Sequence, residues 1–225
     1  MDKEFAVFNP KILVVSPHPD DETIGCGGVI LKYAPNCDVV LLTDGSKGIS
    51  PRWNKDTIVD KRAEEFAQAM NILRVNQVIK INIPDKSVKK AYRTIKREIN
   101  LRQYDYILVP NKNEKHIDHK YAYRHIKKLF HHQHAKGKLV EYEVWTPLRT
   151  INCSIDITDV FDSKKLAICS YTSQLDIYNY SAMCEGLSLY RGACSKVKYA
   201  ESFYIHHKHE FLKRIYHFLR FGEKL

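Results

Sequence analysis

The amino-acid sequence predicts an α/β fold: a single Rossmann-like domain whose mostly parallel, doubly wound sheet carries helices on both faces. Short apolar runs alternate along the chain with longer amphipathic stretches, which is the order of repeated β-α-β units with right-handed crossovers. The first apolar run, 12–15, is continuous and rich in β-branched residues, as in strands covered on both faces. Polar clusters follow two predicted strands, at the edge where open parallel sheets bind ligands.

The predicted elements alternate regularly as far as residue 145. In chain order the predicted strands are 11–16, 38–43, 77–81, 104–109 and 139–145, and the predicted helices are 22–33, 57–73, 88–101 and 119–131. The second helix has a core-facing stripe of apolar side chains at three- and four-residue spacings, namely Ala63, Phe66, Ala67, Met70 and Leu73. Beyond residue 145 the alternation weakens, and we expect a strand at 151–157 and a helix at 163–172.

Length and composition favour one domain, 1–225. A chain of 225 residues, 44% of them hydrophobic, can bury one sizeable core. No run approaches the roughly 18 apolar residues of a membrane span, and the first four residues lack the cationic start of a secretory signal, so we expect a cytoplasmic protein. The six cysteines form no Cys-x-x-Cys pair and are expected to be reduced core residues for the most part; Cys26 is interpreted as packing rather than as a metal ligand.

The net charge of +10 raises the question of an anionic partner. The basic residues are scattered over predicted helix faces and form no nucleic-acid-binding motif, so a solvated cationic surface is favoured and no nucleic-acid partner is expected. Attraction to an anionic substrate or lipid surface is the alternative. The C-terminal tail, 206–225, is basic and amphipathic, and we expect it either to dock on the domain or to make a peripheral membrane contact.

The two polar clusters together indicate a metal site. Pro17-His18-Pro19-Asp20-Asp21-Glu22 directly follows the first strand, and its prolines stiffen a loop that offers one imidazole and two carboxylates. His116-Ile117-Asp118-His119 follows the fourth strand at the same edge, where Asp118 could cap a helix or orient a ligand histidine. The aspartates could all be helix N-caps, but two such clusters at the ends of parallel strands favour one shared metal ion.

With these two clusters, the sequence resembles the PIG-L/LmbE-like family of zinc-dependent N-deacetylases, whose hallmarks are a (P/A)HPDDE motif after the first strand and a later HxDH-type motif. The resemblance continues in order through five further segments and spans roughly positions 11–205. These segments are Gly25-Cys26-Gly27-Gly28, Leu42-Thr43-Asp44-Gly45, Arg62 with Glu65, Ser173-Gln174 and Tyr199-Ala200-Glu201-Ser202-Phe203. One departure is Arg74, which stands where the family usually has a glycine.

The resemblance implies a metal-dependent hydrolase that removes the acetyl group from an N-acetylglucosamine-type sugar or glycoconjugate, releasing acetate and a free amino sugar. It implies one Zn²⁺ per chain, or another divalent ion, with water completing the shell. The implied ligands are His18, Asp21 and His119. Asp20 would be the general base. His116, as an imidazolium, would stabilise the oxyanion, with Asp118 orienting or charging the histidine pair.

The implied substrate is an N-acetylated sugar or glycoconjugate that could be anionic or lipid-linked. Trp53 could stack on a sugar face, while Arg52 and Arg62 could meet a hydroxyl, phosphate or acidic group. Arg62 could instead pair with Glu65 or a neighbouring loop.

Three other functional classes compete with the deacetylase interpretation. They are another mononuclear metal amidase or esterase, a two-metal phosphoesterase, for which extra carboxylates are lacking, and a non-enzymatic basic nucleic-acid-binding protein. The sequence assigns no oligomeric state.

Overall fold

The computed structural model describes residues 5, 8–48, 53–54 and 57–206. Its strands are β1 (Ile12–Ser16), β2 (Cys37–Thr43), β3 (Gln77–Ile83), β4 (Tyr106–Pro110), β5 (Lys138–Tyr142), β6 (Cys153–Asp156) and β7 (Ala200–Ile205). Its helices are α1 (Asp21–Tyr33), α2 (Ile58–Leu73), α3 (Tyr92–Glu98), α4 (Ile117–His132), α5 (Phe161–Ile168), α6 (Thr172–Leu175) and α7 (Tyr180–Ser195). Short 3-10 helices at Val88–Lys90 and Leu101–Gln103 lie on either side of α3.

The strands form one sheet in the order β3-β2-β1-β4-β5-β7-β6. The strands from β3 to β5 pair in parallel, whereas β7 runs antiparallel to both β5 and β6. This confirms the predicted α/β fold with a mostly parallel sheet. β1 lies between β2 and β4, so the chain order reverses at this strand. The loops after β1 and β4 therefore border a crevice at the carboxyl edge, where doubly wound sheets place their ligands.

Helices cover the sheet on both faces, and the central strand shows why. Ile12 and Val14 pack with α1, α2 and α5 on one face, whereas Leu13 and Val15 pack with α3 and α4 on the other. All four side chains are fully buried. A strand buried on both faces is what the continuous apolar run predicts. Each such side chain contributes about 1.5–3 kcal/mol to folding relative to an exposed position, so β1 is a rigid base for the loop that follows it.

Helix α1 is held in place through its own backbone. Gly28 and Val29 donate their N–H groups to the Glu201 carboxylate at 2.7 and 2.8 Å, and Lys164 Nζ donates to the carbonyl of Ile24 at 2.8 Å. Lys164 and Glu201 also form a buried ion pair at 2.7 Å. The carbonyl of Ile24 and the N–H of Gly28 are four residues apart and would normally form a hydrogen bond with each other within an α-helix. The ion pair therefore binds the backbone of α1 at one helical turn.

The glycines of α1 permit this close approach. A Cβ atom on Gly25 would lie 2.3 Å from the Tyr142 ring, and one on Gly28 would lie 2.4 Å from Ile157 Cγ2. Neither distance is compatible with a side chain in this packing. The Gly-Cys-Gly-Gly segment therefore allows α1 to pack closely against its neighbours. Cys26, which lies between these glycines, is fully buried, in agreement with its interpretation as a packing residue.

Several predicted elements have different limits in the structure. The predicted strand 139–145 ends at Tyr142, because the N–H groups of Trp145 and Thr146 donate to the Glu114 side chain instead of joining a sheet ladder. The predicted helix 88–101 is α3 with a 3-10 helix before and after it. Helix α7 has no predicted counterpart, because its buried face includes polar residues such as Ser188 and Arg191 that break the apolar stripe.

The stripe predicted for α2 is partly wrong. Phe66, Met70 and Leu73 are buried, but Ala67 is exposed and Ala69 takes its place, because the buried face of this helix also contains Arg62 and Glu65. Four of the six free cysteines are buried, while Cys169 and Cys194 are exposed. Among the helices that the structure describes, none combines the length and the apolar character needed to cross a membrane.

Candidate active site

Two loops at the carboxyl edge bring three potential metal-ligand atoms together. The loop after β1 supplies His18, the first residue of α1 is Asp21, and the first turn of α4 supplies His119. His18 Nδ1 lies 3.2 Å from Asp21 Oδ2 and 3.2 Å from His119 Nε2, and the last two atoms lie 3.1 Å apart. All three side chains are buried. Histidines separated by 101 positions in the sequence therefore meet in one triangle of donor atoms.

The donor triangle fits a tetrahedral metal ion. Bonds of about 2.0–2.2 Å place the ligands of a tetrahedral zinc ion about 3.3–3.6 Å apart, close to the distances of this triangle. Two imidazole nitrogens and one carboxylate oxygen also match the three-ligand set of catalytic zinc with an open position. In two other groups, His18 with His116 and His119, and His18 with Asp85 and Asp118, the potential ligand atoms lie within 4.8 Å of one another. The donor triangle is the more compact fit.

The other nitrogen of His18 faces two carboxylates. Its Nε2 lies 3.3 Å from Asp118 Oδ2 and 3.4 Å from Asp85 Oδ1. Asp118 is itself held by the backbone N–H groups of Lys86 and Val88, at 2.7 and 3.1 Å. Carboxylates commonly fix the tautomer and ring orientation of a ligand histidine in this way. Because Nε2 faces these carboxylates, Nδ1 of His18 is left as the ring nitrogen that takes part in the donor triangle.

The position of Asp118 differs from the prediction in its partner. Its carboxylate orients His18, whereas the sequence assigned it to the pair His116 and His119; it does not cap α4, whose N-cap is His116. Burial lowers the pKa of His18, but hydrogen bonds to Asp118, Asp21 and Asp85 outweigh burial and raise this pKa well above its ordinary value. The electrostatic surroundings of His18 therefore favour a positive charge at this place.

Asp20 stands beside the donor triangle in an unusual backbone conformation, with φ at 132°. Its side chain makes no capping bond to α1, and instead its Oδ2 accepts a hydrogen bond from Arg62 Nη2 at 3.1 Å. Burial raises the pKa of Asp20 to about 8, more than Arg62 lowers it, and Asp21 adds to the rise. A non-glycine residue in such a conformation costs on the order of 1–3 kcal/mol and is a feature of functional sites.

Arg62 on α2 joins the loops around the site. Its Nη1 donates to the carbonyl of Gly45 and its Nη2 to the carbonyl of Pro19, both at 2.8 Å. The side chain is only 3% exposed. Of the two interpretations of Arg62, the contact with neighbouring loops is the one seen; Glu65 is not its partner, since that carboxylate accepts hydrogen bonds from Thr172 and Ser173 instead.

His116 lies at the mouth of the site, half-buried, with its ring centroid 4.8 Å from that of His18 and 5.1 Å from that of His119. Its Nδ1 accepts the backbone N–H of Asp118, which leaves the ring proton on Nε2. Burial and the two neighbouring histidines lower the pKa of His116. The predicted imidazolium is therefore not favoured, and a neutral ring that donates from Nε2 describes His116 better.

Trp53 and Arg52 are the other two predicted substrate contacts. Trp53 lies in the segment between β2 and α2, where Lys61 Nζ is 5.3 Å from its ring centroid. Arg52 lies outside the described residues, as does all of the predicted tail 206–225 except His206. The structure thus brings together the six residues of the two polar clusters that were assigned to the metal or to catalysis, and joins Arg62 to them through Asp20.

Two carboxylates of the site escaped the sequence interpretation. Asp85 follows β3 at the same sheet edge as the other clusters, a position that the strand-end rule could have identified. Glu114 lies inside the second polar loop, buried, with Oε2 4.0 Å from His119 Nδ1. No described residue hydrogen-bonds His119 Nδ1. Glu22 was grouped with the first cluster, yet its carboxylate accepts hydrogen bonds from Ser16, Thr23 and Tyr171 and so serves the packing of α1.

The chain is similar in sequence to known proteins. The family model PIG-L, described as GlcNAc-PI de-N-acetylase, matches residues 13–130. A relative, the diacetylchitobiose deacetylase of Thermococcus kodakarensis, is 27% identical over 216 residues, which cover 85% of this chain and 81% of that protein.

Solved structures share the fold. The N,N′-diacetylchitobiose deacetylase of Pyrococcus horikoshii, complexed with its inhibitor MPG, superimposes with a TM-score of 0.77 at 24% identity, over 90% of this chain and 87% of that one. GalB, the 4-carboxy-2-hydroxymuconate hydratase of Pseudomonas putida, gives a TM-score of 0.69 at 22% identity, over 87% and 95%. One scaffold therefore carries both deacetylase and hydratase activities among similar proteins.

Proposed function

The chain belongs to the PIG-L family of GlcNAc-PI de-N-acetylases, and from this premise we propose that it is a metal-dependent hydrolase that removes the acetyl group from an N-acetylglucosamine-type sugar, releasing acetate and a free amino sugar. One observation carries the proposal: the donor atoms of His18, Asp21 and His119 lie 3.1–3.2 Å apart, with the Asp20 carboxylate beside them. The proposed ion is one Zn²⁺ per chain. We also propose a single domain, since all described strands share one sheet.

The residues around the ion have separable tasks. A bound divalent ion supplies Lewis-acid chemistry, polarising a carbonyl and lowering the pKa of water. Asp20 accepts the proton of the attacking water and passes it to the leaving amine, and burial, which raises the pKa of this carboxyl, makes its ionised form a stronger base than an exposed aspartate. His116 donates from Nε2 to the oxyanion. Asp118 and Asp85 keep the His18 ring in one orientation.

The test is the release of products from a panel of N-acetylated sugars, free, nucleotide-linked and lipid-linked, by zinc-loaded protein. We expect acetate and primary amine in equal amounts from at least one member. Asp20→Asn should retain one zinc ion per chain and lose at least a hundredfold in turnover, the usual size of a general-base contribution. His119→Ala should lose the metal, as measured by mass spectrometry of the native protein.

The matched control is Asp159→Asn. This carboxylate is 67% exposed, and its ion-pair partner among the described residues is Lys32 on the surface. It should retain both metal and turnover. If Asp20→Asn keeps turnover within a few-fold of the wild type, Asp20 is not the base. If no panel member yields both acetate and amine, the deacetylase proposal fails.

We propose further that the substrate is anionic, because positive charge is concentrated in the segment that includes α3 and α4, and the first turn of α4 carries His119. Residues 86–136 contain 14 Lys and Arg against 4 Asp and Glu, so this segment alone matches the net charge of +10 of the whole chain. Two of those four acidic residues, Glu114 and Asp118, are buried in the site. The exposed basic residues of α3 and α4, here called the cationic face, are Arg93, Lys96, Arg97, Lys120, Arg124, Lys127 and Lys128.

The cationic face would attract a phosphate-bearing glycoconjugate, whether it is free or embedded in an anionic membrane. We expect the KM for a phosphate-bearing substrate to rise steeply with salt, and the KM for a neutral substrate to change little. Arg124→Glu should raise the former KM, whereas Lys165→Glu on α5 should not. Sedimentation with anionic vesicles separates the membrane case from the free one. Equal salt dependence for both substrates would refute the anionic preference.

A further inference from the structure

We infer that Trp145 and Tyr178 form a carbohydrate-binding platform at the rim of the candidate active site, which stacks on a second sugar ring attached to the acetamido sugar. The inference rests on the proposed function for the identity of the ligand and extends it to the size of the substrate. Trp145 follows β5, and Tyr178 lies between α6 and α7. Neither residue was assigned a function from the sequence.

The two rings are exposed but well supported. Trp145 is 40% exposed and Tyr178 is 54% exposed. Tyr180, which contacts both rings, is only 3% exposed. The ring centroids of Trp145 and Tyr178 lie 5.2 Å apart in an edge-to-face arrangement, and the Tyr180 ring lies 5.6 Å from the first and 6.1 Å from the second. Such ring contacts fix the positions of aromatic side chains. The platform is therefore preformed.

The backbone of Trp145 lies one side chain away from a proposed metal ligand. Its N–H and that of Thr146 both donate to Glu114 Oε1 at 3.0 Å. The other oxygen of the same carboxylate lies 4.0 Å from Nδ1 of His119. One buried carboxylate therefore separates the backbone of Trp145 from a member of the donor triangle, which puts the platform next to the candidate active site.

Tyr180 connects both rings to the core of the domain. It is only 3% exposed and packs in the apolar cluster that also contains Ile24 of α1, the helix that begins at Asp21. Because Tyr180 contacts both platform rings, the platform is fixed to the same part of the fold as Asp21.

The composition of the platform suits a sugar better than a purely apolar ligand. Aromatic rings offer a flat apolar face to the C–H face of a pyranose, and their polar edges remain available for hydroxyl groups. The exposed neighbours of Tyr178 in the sequence are Asp176, Ile177 and Asn179, so polar groups lie close to an apolar surface here. A pair of contacting exposed aromatic rings next to a catalytic crevice marks a ligand site, whereas single exposed apolar residues would not.

Tryptophan fluorescence tests the platform without relying on turnover. The chain has two tryptophans, so Trp53→Phe leaves Trp145 as the sole indole. The background is zinc-loaded Trp53→Phe/Asp20→Asn, and the ligands are a disaccharide of two N-acetylglucosamine units and N-acetylglucosamine itself. We expect a saturable change in Trp145 emission with the disaccharide, at an affinity about tenfold higher than that for the monosaccharide.

Two tyrosine variants complete the test. Tyr178→Ala should weaken disaccharide binding about five- to tenfold and leave monosaccharide binding unchanged, while Tyr178→Phe should restore it. The control is Tyr190→Ala on α7, since Tyr190 is 61% exposed. In the enzyme with Asp20 intact, Tyr178→Ala should raise the KM for the disaccharide with little change in kcat. Thermal melting confirms that each variant is folded.

Each outcome separates the platform from the proposed activity. Equal affinity for both sugars, or no effect of Tyr178→Ala on disaccharide binding, overturns the platform even if the protein deacetylates sugars. A saturable disaccharide response supports the platform, and if the enzyme with Asp20 intact releases acetate from no member of the sugar panel, the deacetylase proposal alone is overturned. If Trp145 emission responds only to protein concentration, with matching dimer formation in sedimentation, the rings are an interface between copies of the chain and the platform is overturned.

Discussion

Replacing Asp118 by asparagine removes one charge from the outer partner of His18 and preserves the shape of the side chain. The two oxygens of Asp118 accept one backbone N–H each, from Lys86 and Val88, and Oδ2 also faces His18 Nε2 at 3.3 Å. An asparagine offers only one accepting atom, so one N–H faces an amide donor and the anchor of His18 weakens. Loss of such a partner lowers metal affinity about 10- to 100-fold, and an unsatisfied buried amide costs about 1–3 kcal/mol.

Two measurements separate these effects: competition for zinc with a chelating dye, and urea unfolding of the metal-free protein. The control is Asp38→Asn, because Asp38 is equally buried but accepts its hydrogen bonds from Tyr104 and Asn76, near the start of β2. This variant should lose stability and keep its zinc affinity within twofold. If Asp118→Asn also binds zinc within twofold of the wild type, Asp118 does not orient His18. Equal losses of affinity in both variants would refute the reasoning as well.

Two further predictions concern stability. Lys164→Met should lower the free energy of unfolding, measured by urea titration, by about 3–5 kcal/mol, since it leaves the Glu201 carboxylate buried without its ion-pair partner. The control is the adjacent Lys165→Met, which breaks an exposed ion pair and should lower the free energy of unfolding by less than about 1 kcal/mol. Burial raises the pKa of Glu141, but hydrogen bonds, chiefly from His206, outweigh it and hold this pKa below its ordinary value of 4.5; the stabilisation is present above that value and is lost as the pH falls through the folded-state pKa. The stability gap between the wild type and Glu141→Gln should therefore shrink on acidification below pH 4.5, and a gap that widens contradicts this sign.

The sequence was sufficient for the five parallel strands and for the meeting of the two polar clusters, because both follow from local signals. The choice of His18, Asp21 and His119 as ligands came from the family resemblance, and strand β7 was not predicted. A continuous apolar run identifies a buried strand, and polar residues directly after it lie at the carboxyl edge of the sheet. Pairing of β1 with β4 then brings the two loops together. None of these steps depends on the conformation of a side chain.

The partners of the site residues could not be predicted because they depend on tertiary packing. Asp118 orients His18 rather than His116 since the amides after β3 turn its carboxylate in that direction. Arg62 was open to two interpretations, a substrate contact or a pairing with Glu65 or a neighbouring loop, because the loops that accept its hydrogen bonds surround it only in the folded chain. Helix α7 was not predicted either, because its buried face includes Arg191. This side chain forms an ion pair with Glu143, and the spacing of apolar residues in the sequence does not predict such a pair.

The backbone of Asp20 sets stability against chemistry at a single position. Its φ of 132° is a conformation that glycine adopts freely, so Asp20→Gly would relieve on the order of 1–3 kcal/mol of strain. The same change deletes the carboxylate and leaves Arg62 buried without its ion-pair partner, a loss of about 3–5 kcal/mol. Laboratory evolution that selects for heat resistance should therefore accept glycine at position 20 only after position 62 has become neutral, and such a protein would be inert.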